Sequence, residues 1–376
     1  MSPSQKSNSA AKPVGQLLVV GFDGTEVTHV LAEMLARIQP AGVILFARNI
    51  VNAQQTYQLL KDCQAQVSQP IFTAVDFEGG RVDRFRHVTG PAPSAAEVFA
   101  SGGRKLFRKH GQLIGKICTA LGFNVDFAPV LDLAFEASRK VMSSRAFSTD
   151  PKAVALYARE FLAGLKSAGV IGAGKHFPGL GEGNLDSHHD LPVIKKTLAK
   201  LWEEDLAPYR LIKRELPMVL VNHANYPAIT RDRLPASLSK YWISDVLRRK
   251  IGYGGLIVSD DLEMSGVLKA APMHEAATRF IAAGGDLCLI CHEQAGIEQA
   301  YETMRRKAER EARFRRRVVE SAHRVAAFKK RSKELKRRSP APSPEKISRL
   351  STQLWEFSEQ VRLQALSLAA VAGTRR

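Results

Sequence analysis

The chain has 376 residues, of which 45% are hydrophobic and 24% are charged. These proportions are ordinary for a globular protein, and the length suits one large domain or two medium ones. The formal net charge is +18, but residues 305–338 alone contain 16 Lys or Arg and 4 Asp or Glu, a net charge of +12 that leaves +6 for the rest. For that C-terminal region, a solvated basic helix is favoured over contact with nucleic acid or another anionic partner.

The N-terminal stretch "MSPSQKSNSAAKPVG" lacks the apolar segment of a secretory signal. No apolar run approaches the roughly 20 residues that a membrane-spanning helix needs. The four cysteines are too few for a disulfide framework in a chain of this length. We therefore expect a cytoplasmic protein without a membrane span.

Eight short apolar runs recur along the chain, and polar or glycine-rich residues end each one. They are "QLLVVGFDG", "GVILFARN", "IFTAVDFEGG", "GFNVDFAPVLD", "VIGAGKHFPG", "MVLVNHANYP", "GLIVSDD" and "DLCLICH". Continuous apolar runs are typical of parallel strands buried on both faces. Helix-like segments such as "PKAVALYAREFLAGLKSAG" lie between most of them. The alternation predicts a (β/α)8 barrel, with an open, doubly wound sheet as the second possibility.

Ionisable side chains follow most of these runs. They are Asp76 and Glu78, Asp132, Lys175 and His176, His223, Asp260 and Asp261, and His292. Barrel enzymes carry their chemistry at the C-terminal ends of the strands. The sequence therefore predicts an active site at that end.

The stretch "KHFPGLGEGNLDSHHDLP", residues 175–192, is the densest group of ionisable residues. Lys175 and His176 end the fifth run, and the aspartate of "DSH", Asp186, can hydrogen-bond and orient His188 for proton transfer. A solvated polar loop is the simpler alternative. A metal site is a further one, using His176, His188, His189 and Asp190, but no zinc-binding spacing such as H-E-x-x-H is present. We expect no bound metal.

The run "GLIVSDDLEM" delivers two neighbouring carboxylates to the same end of the barrel. Asp260 suits a nucleophile, a base or a magnesium ligand, while Asp261 suits the cap of the next helix. Asp76 and Arg84, from "VDFEGGRVDRFR", and Arg145, from "SSRAFSTDP", suit a ligand rich in hydroxyl groups. Taken singly, each of these three residues is most often part of a surface ion pair.

Together these segments resemble glycoside hydrolase family 3, in particular the bacterial β-N-acetylglucosaminidases of peptidoglycan recycling. The resemblance runs from Gly15 to His292 through "GVILFARN", "VDFEGGRVDRFR", "NVDFAPVLD", "SSRAFSTDP", "KHFPGLGEGNLDSHHDLP", "PASLS" and "IGYGGLIVSDDLEM". The combination of K-H-F-P-G-x-G with D-S-H and a later S-D-D-L is its most specific part. Leu180, where the family commonly has His or Arg, and Phe77, in place of its usual Gln, depart from the pattern.

The resemblance implies a TIM-like barrel and a retaining hydrolase that forms a covalent glycosyl–aspartate. It implies Asp260 as the nucleophile and His188 as the acid/base, supported by Asp186. The implied sugar-binding residues are Asp76, Arg84, Arg145, Lys175 and His176. It implies no metal and no cofactor. A glycoside phosphorylase or a β-glucosidase of the same family is the alternative, and a metal-dependent hydrolase is less favoured.

The expected organisation has four parts. Residues 1–14 form a flexible segment and residues 15–300 the catalytic barrel. Residues 301–338 form a basic helical segment, and residues 339–376 a Pro/Ser linker followed by a C-terminal helix.

Overall fold

A computed structural model describes residues 13–181, 191–337 and 339–373. Within these residues, eight parallel strands close into a barrel in chain order, so the barrel prediction is confirmed and an open sheet is excluded. The strands are β1 (Leu18–Val20), β2 (Gly42–Ile44), β3 (Phe72–Val75), β4 (Val125–Asp126), β5 (Ile171–Phe177), β6 (Met218–Val221), β7 (Leu256–Asp261) and β8 (Leu287–Ile290). Each lies inside one of the eight apolar runs of the sequence.

Closure occurs where the first strand pairs with the last. Leu18 of β1 lies opposite Cys288 of β8, while Val20 lies opposite Val43 of β2. A small antiparallel hairpin, Phe77–Gly79 with Val82–Asp83, interrupts the path from β3 to the next helix. This hairpin carries charged residues to the C-terminal end of the barrel.

Helices surround the barrel and extend beyond it. In the described part of the chain, those of ten or more residues are α1 (His29–Ile38), α2 (Ala53–Ala65), α3 (Arg104–Ala120), α4 (Pro151–Ala168), α5 (Tyr241–Lys250, π-helical), α6 (Met273–Ala283), α7 (Gln294–Arg310), α8 (Ala312–Arg331) and α9 (Pro344–Gly373). Shorter α-helices are Arg86–Thr89, Ala95–Ala100, Arg139–Met142, Leu198–Glu203, Ala207–Leu211, Pro227–Thr230 and Ser265–Leu268. Single 3-10 turns are Ala47–Asn49, Glu136–Ser138, Ser143–Arg145, Ala236–Leu238 and Glu334–Lys336.

The termini of α4 show how local sequence sets a helix. Asp150 accepts a hydrogen bond from the backbone N–H of Lys152, and Pro151 occupies the first turn, where its missing N–H leaves no bond unmade. Gly169 ends the helix in the left-handed conformation at φ 85°, which glycine adopts without steric cost. The chain then turns directly into β5.

The basic helix α8 closes the N-terminal end of the barrel. Its Val325 and Phe328 are buried in the same apolar cluster as the inward-facing strand residues. Phe328 packs edge-on against Phe72 with ring centroids 6.1 Å apart. The apolar face of α8 is therefore part of the barrel core.

The C-terminal helix α9 packs on α3. Its Leu354, Phe357 and Val361 are buried, and Phe357 stacks on the buried ring of His110 at 5.8 Å between centroids. Trp355, on the opposite face, is 66% exposed. The four-part division of the chain stays a prediction. In the part of the chain that the structure describes, no helix is both long enough and apolar enough to cross a membrane.

Candidate active site

A buried network of charges occupies the C-terminal end of the barrel. Lys175, at the end of β5, places its Nζ atom 2.7 Å from Asp76 Oδ1 and 2.7 Å from Glu78 Oε1. Arg145 donates to both oxygens of Glu78, from Nε and from Nη2, each at 2.7 Å. A bidentate arginine–carboxylate pair fixes orientation as well as charge. Three of the predicted sugar-binding residues thus lie together, joined by Glu78, for which the sequence predicts no role in binding.

The network stays charged near neutral pH. Burial alone would raise the pKa of Glu78, but Arg145 and Lys175 outweigh it and hold that pKa well below its usual range. Burial alone would lower the pKa of Lys175, but Asp76 and Glu78 outweigh it and raise that pKa. The site therefore offers fixed charges to a sugar's hydroxyl groups.

His176 is held from both sides of its ring. Its Nε2 atom lies 3.2 Å from Arg145 Nη2, which can only donate, so Nε2 accepts. Its Nδ1 atom therefore carries the proton and donates to Asp132 Oδ2 at 2.7 Å. Asp132 also accepts the backbone N–H of His176 at 3.1 Å and that of Leu180 at 2.6 Å. Asp132 is a second carboxylate whose role here the sequence did not predict.

Asp260 lies at the end of β7, beside this network. Its Oδ1 atom accepts the backbone N–H of Asp261 at 3.0 Å. Burial alone would raise its pKa, but the Lys175 ammonium and the backbone N–H of Asp261 favour the charged form, and the pKa of Asp260 is lowered. An ionised carboxylate at this position can act as a nucleophile.

The other predicted site residues divide into two groups. Arg84 lies near the mouth of the barrel, where its guanidinium carbon is 5.7 Å from the centroid of the Phe46 ring. Among the described residues, its buried Nε atom has no hydrogen-bond partner, which leaves a donor for a ligand. Asp186 and His188 lie outside the described residues, so their predicted pairing stays a prediction.

The metal alternative finds little support in the donor groups. Of its four proposed ligands, only His176 is described, and both of its ring nitrogens are engaged by Asp132 and Arg145. Asp261, Glu263 and His292 do bring their ligand atoms within 4.8 Å of one another. Glu263, however, accepts three backbone N–H groups just before α7, from residues 291, 292 and 293, at 2.6–2.7 Å. This carboxylate serves as a helix cap.

Comparison with known proteins decides the family. A model of the glycosyl hydrolase family 3 N-terminal domain matches residues 10–327. The chain belongs to glycosyl hydrolase family 3. This family 3 hydrolase is 37% identical, over 300 residues, to a beta-hexosaminidase of Bordetella avium, covering 78% of this chain and 84% of the relative. It is 35% identical over 286 residues to a beta-hexosaminidase of Idiomarina loihiensis, covering 75% and 86%.

Solved structures agree with that assignment. A family 3 beta-N-acetylglucosaminidase from Paenibacillus sp. superposes with a TM-score of 0.86 at 30% identity, covering 93% of this hydrolase and 68% of that chain. The predicted family is therefore confirmed, and the protein is a glycoside hydrolase. The sequence also marked Glu78, Asp132 and His223 as polar residues that follow strands, which was the only signal of their place in the site.

Proposed function

We propose that this family 3 hydrolase removes β-linked N-acetylglucosamine from glycans or peptidoglycan fragments. The observation that carries the proposal is the position of the Asp260 carboxylate at the end of β7, close to Lys175 and its partner Asp76. A carboxylate nucleophile next to fixed donors and acceptors suits attack on a sugar. The names of the relatives, beta-hexosaminidase and beta-N-acetylglucosaminidase, support the choice of an N-acetylated sugar.

In the first step, an oxygen of Asp260 attacks the anomeric carbon while the bond to the leaving oxygen breaks. His188 gives its proton to that oxygen, with Asp186 orienting the ring. The products are a glycosyl–aspartate ester and the released aglycone. Asp76, Arg84, Arg145, Lys175 and His176 hold the sugar hydroxyl groups during this step.

In the second step, water attacks the anomeric carbon and the bond to Asp260 breaks. His188, now neutral, accepts the proton from water, which restores both groups and retains the β configuration. A neutral base would also admit an anionic acceptor such as phosphate, since it carries no charge to repel one. Formation of a sugar phosphate in phosphate buffer is therefore one outcome to measure.

The test compares wild type with Asp260→Asn on a chromogenic β-N-acetylglucosaminide and on the matching β-glucoside. We expect cleavage of the first substrate by wild type and a loss of at least about 1000-fold in kcat for Asp260→Asn. Asp62→Asn, on the outer helix α2, is the matched control and should behave as wild type. Activity confined to the β-glucoside would refute the substrate, and an active Asp260→Asn would refute the nucleophile.

The proposed acid has its own test. His188→Ala should slow substrates with poor leaving groups much more than activated aryl substrates, because only the former need a proton in the transition state. Equal losses on both would contradict an acid role for His188. The cytoplasmic location and the role in peptidoglycan recycling stay predictions, which cell fractionation and assay on muropeptide fragments would test.

A further inference from the structure

A histidine that takes no part in the proposed chemistry contacts the residue that follows Asp260. His223 follows β6 and is fully buried. Its Nε2 atom is 2.8 Å from the carbonyl oxygen of Asp261, and its Nδ1 atom is 2.7 Å from Ser237 Oγ. A carbonyl oxygen only accepts, so Nε2 carries the proton and Nδ1 accepts from the Ser237 hydroxyl. The ring is thus fixed in one tautomer and one orientation.

The backbone of Asp261 links His223 to Asp260. The backbone N–H of Asp261 donates to Asp260 Oδ1 at 3.0 Å, while its carbonyl accepts from His223. The preceding residue, Ser259, is tied to the adjacent strand β8. Ser259 Oγ accepts the backbone N–H of Leu289 at 3.0 Å. The end of β7 is therefore held from β8 and from His223 at once.

The "PASLS" segment, residues 235–239, accounts for the position of Ser237. The backbone N–H of Ala236 donates to the carbonyl of Ala224 at 2.8 Å, and that of Ser237 donates to the carbonyl of Asn222 at 3.1 Å. These bonds place the segment against the two residues that flank His223. Ser237 is itself fully buried, and its hydroxyl lies 2.7 Å from Nδ1 of His223.

We propose that His223, oriented by Ser237, is a positioning residue that fixes the Asp260 carboxylate for attack on the anomeric carbon. The proposal rests on the proposed role of Asp260 as the nucleophile. Its physical basis is that displacing the nucleophile by about 1 Å from its attack geometry can slow the reaction about 100-fold. Burial lowers the pKa of His223, which keeps the ring neutral and its single donor directed at Asp261.

The experiment compares two amide replacements of the same ring. In His223→Gln the amide nitrogen can reach the place of Nε2 and still donate to the Asp261 carbonyl. In His223→Asn the side chain is too short to do so. We expect kcat to fall about 100-fold in His223→Asn and less than about 10-fold in His223→Gln, with KM and the Kd of N-acetylglucosamine little changed.

Ser237→Ala provides a second route that removes a single oxygen atom. It leaves Nδ1 of His223 without its donor, so we expect kcat to fall about 10-fold with unchanged Kd for N-acetylglucosamine. Should His223→Asn fail to fold, this variant decides the question. A wild-type kcat in Ser237→Ala would then overturn the proposal.

Other outcomes separate this proposal from the proposed function. A wild-type kcat in His223→Asn, with Asp260→Asn inactive, would overturn the positioning role alone. Equal losses of kcat in the Gln and Asn variants, in step with equal losses of melting temperature, would indicate a packing role and also overturn it. Full activity of Asp260→Asn would overturn the proposed function first.

Discussion

Replacing Glu78 by glutamine should cost this protein both stability and activity. Glu78 is 6% exposed and accepts three charge-assisted hydrogen bonds, two from Arg145 and one from Lys175, each at 2.7 Å. Glutamine offers one acceptor oxygen, and its NH2 group would face a donor. The change therefore breaks the bidentate pair and removes one of the negative charges that neutralise the buried Arg145 and Lys175.

The magnitude follows from burial. Removing one partner of a buried ion pair costs about 3–5 kcal/mol, because the remaining charge stays desolvated. Glu136, in an exposed pair with Arg139, provides the matched control, since those side chains are 83% and 76% exposed. Glu136→Gln should cost less than about 1 kcal/mol.

Urea unfolding of both variants at pH 7 measures these costs. Because Arg145 also contacts His176, we expect kcat/KM to fall about 100-fold in Glu78→Gln and to stay unchanged in Glu136→Gln. The lowered pKa of Glu78 means that its stabilising charge is present above its unfolded-state pKa and is lost as the pH falls through the folded value. Equal unfolding free energies and equal kcat/KM in the two variants would refute the reasoning.

Three further predictions concern stability, the C-terminal helix and metals. Burial lowers the pKa of His110 to about 3, so between about pH 3 and pH 6.5 only the unfolded chain binds this proton. At pH 5 this lowers the free energy of unfolding by about 2 kcal/mol. Urea titrations at pH 7 and pH 5 should show this loss in wild type and not in His110→Asn. Phe357→Ala should cost about 3–5 kcal/mol in the same assay, while Trp355→Ala, on the exposed face of α9, should cost less than about 1 kcal/mol. Dialysis against EDTA should leave activity intact, because both ring nitrogens of His176 are engaged within the protein; activity lost to EDTA and restored by zinc would favour the metal-dependent alternative.

The barrel could be predicted because its signal is local. Each strand lies within one apolar run, and residues such as those of β6, "MVLV", are apolar without interruption because both faces of the strand are buried. The role of α8 could not be predicted in the same way. Its Arg and Lys residues dominate the sequence, whereas the buried positions, Val325 and Phe328 among them, occupy a narrow stripe. The same helix therefore carries part of the positive charge of the chain and closes the barrel.

The sequence predicts which residues belong to the candidate site, but it does not predict which of them form ion pairs with one another. Asp76 and Lys175 were both named as sugar-binding residues, yet they are 99 positions apart, and nothing local to either indicates their ion pair. Glu78 is identified from the sequence only as an ionisable residue that follows a strand, with no partner indicated. Only the closure of the barrel places it between Lys175 and Arg145. Pairing is a property of the fold, and a single sequence carries no record of it.

Asp132 shows why such unassigned carboxylates matter for the proposed chemistry. One oxygen receives the ring and backbone N–H groups of His176, and the other receives the backbone N–H of Leu180. Leu180 and Gly181 are the last described residues before the segment that carries Asp186 and His188. A single buried side chain thus ties the sugar-binding end of β5 to the start of the segment with the proposed acid/base. Asparagine has only one acceptor oxygen, so Asp132→Asn can keep the hydrogen bonds to His176 or the one to Leu180, but not both. The side chain would then no longer connect the sugar-binding end of β5 to the start of that segment.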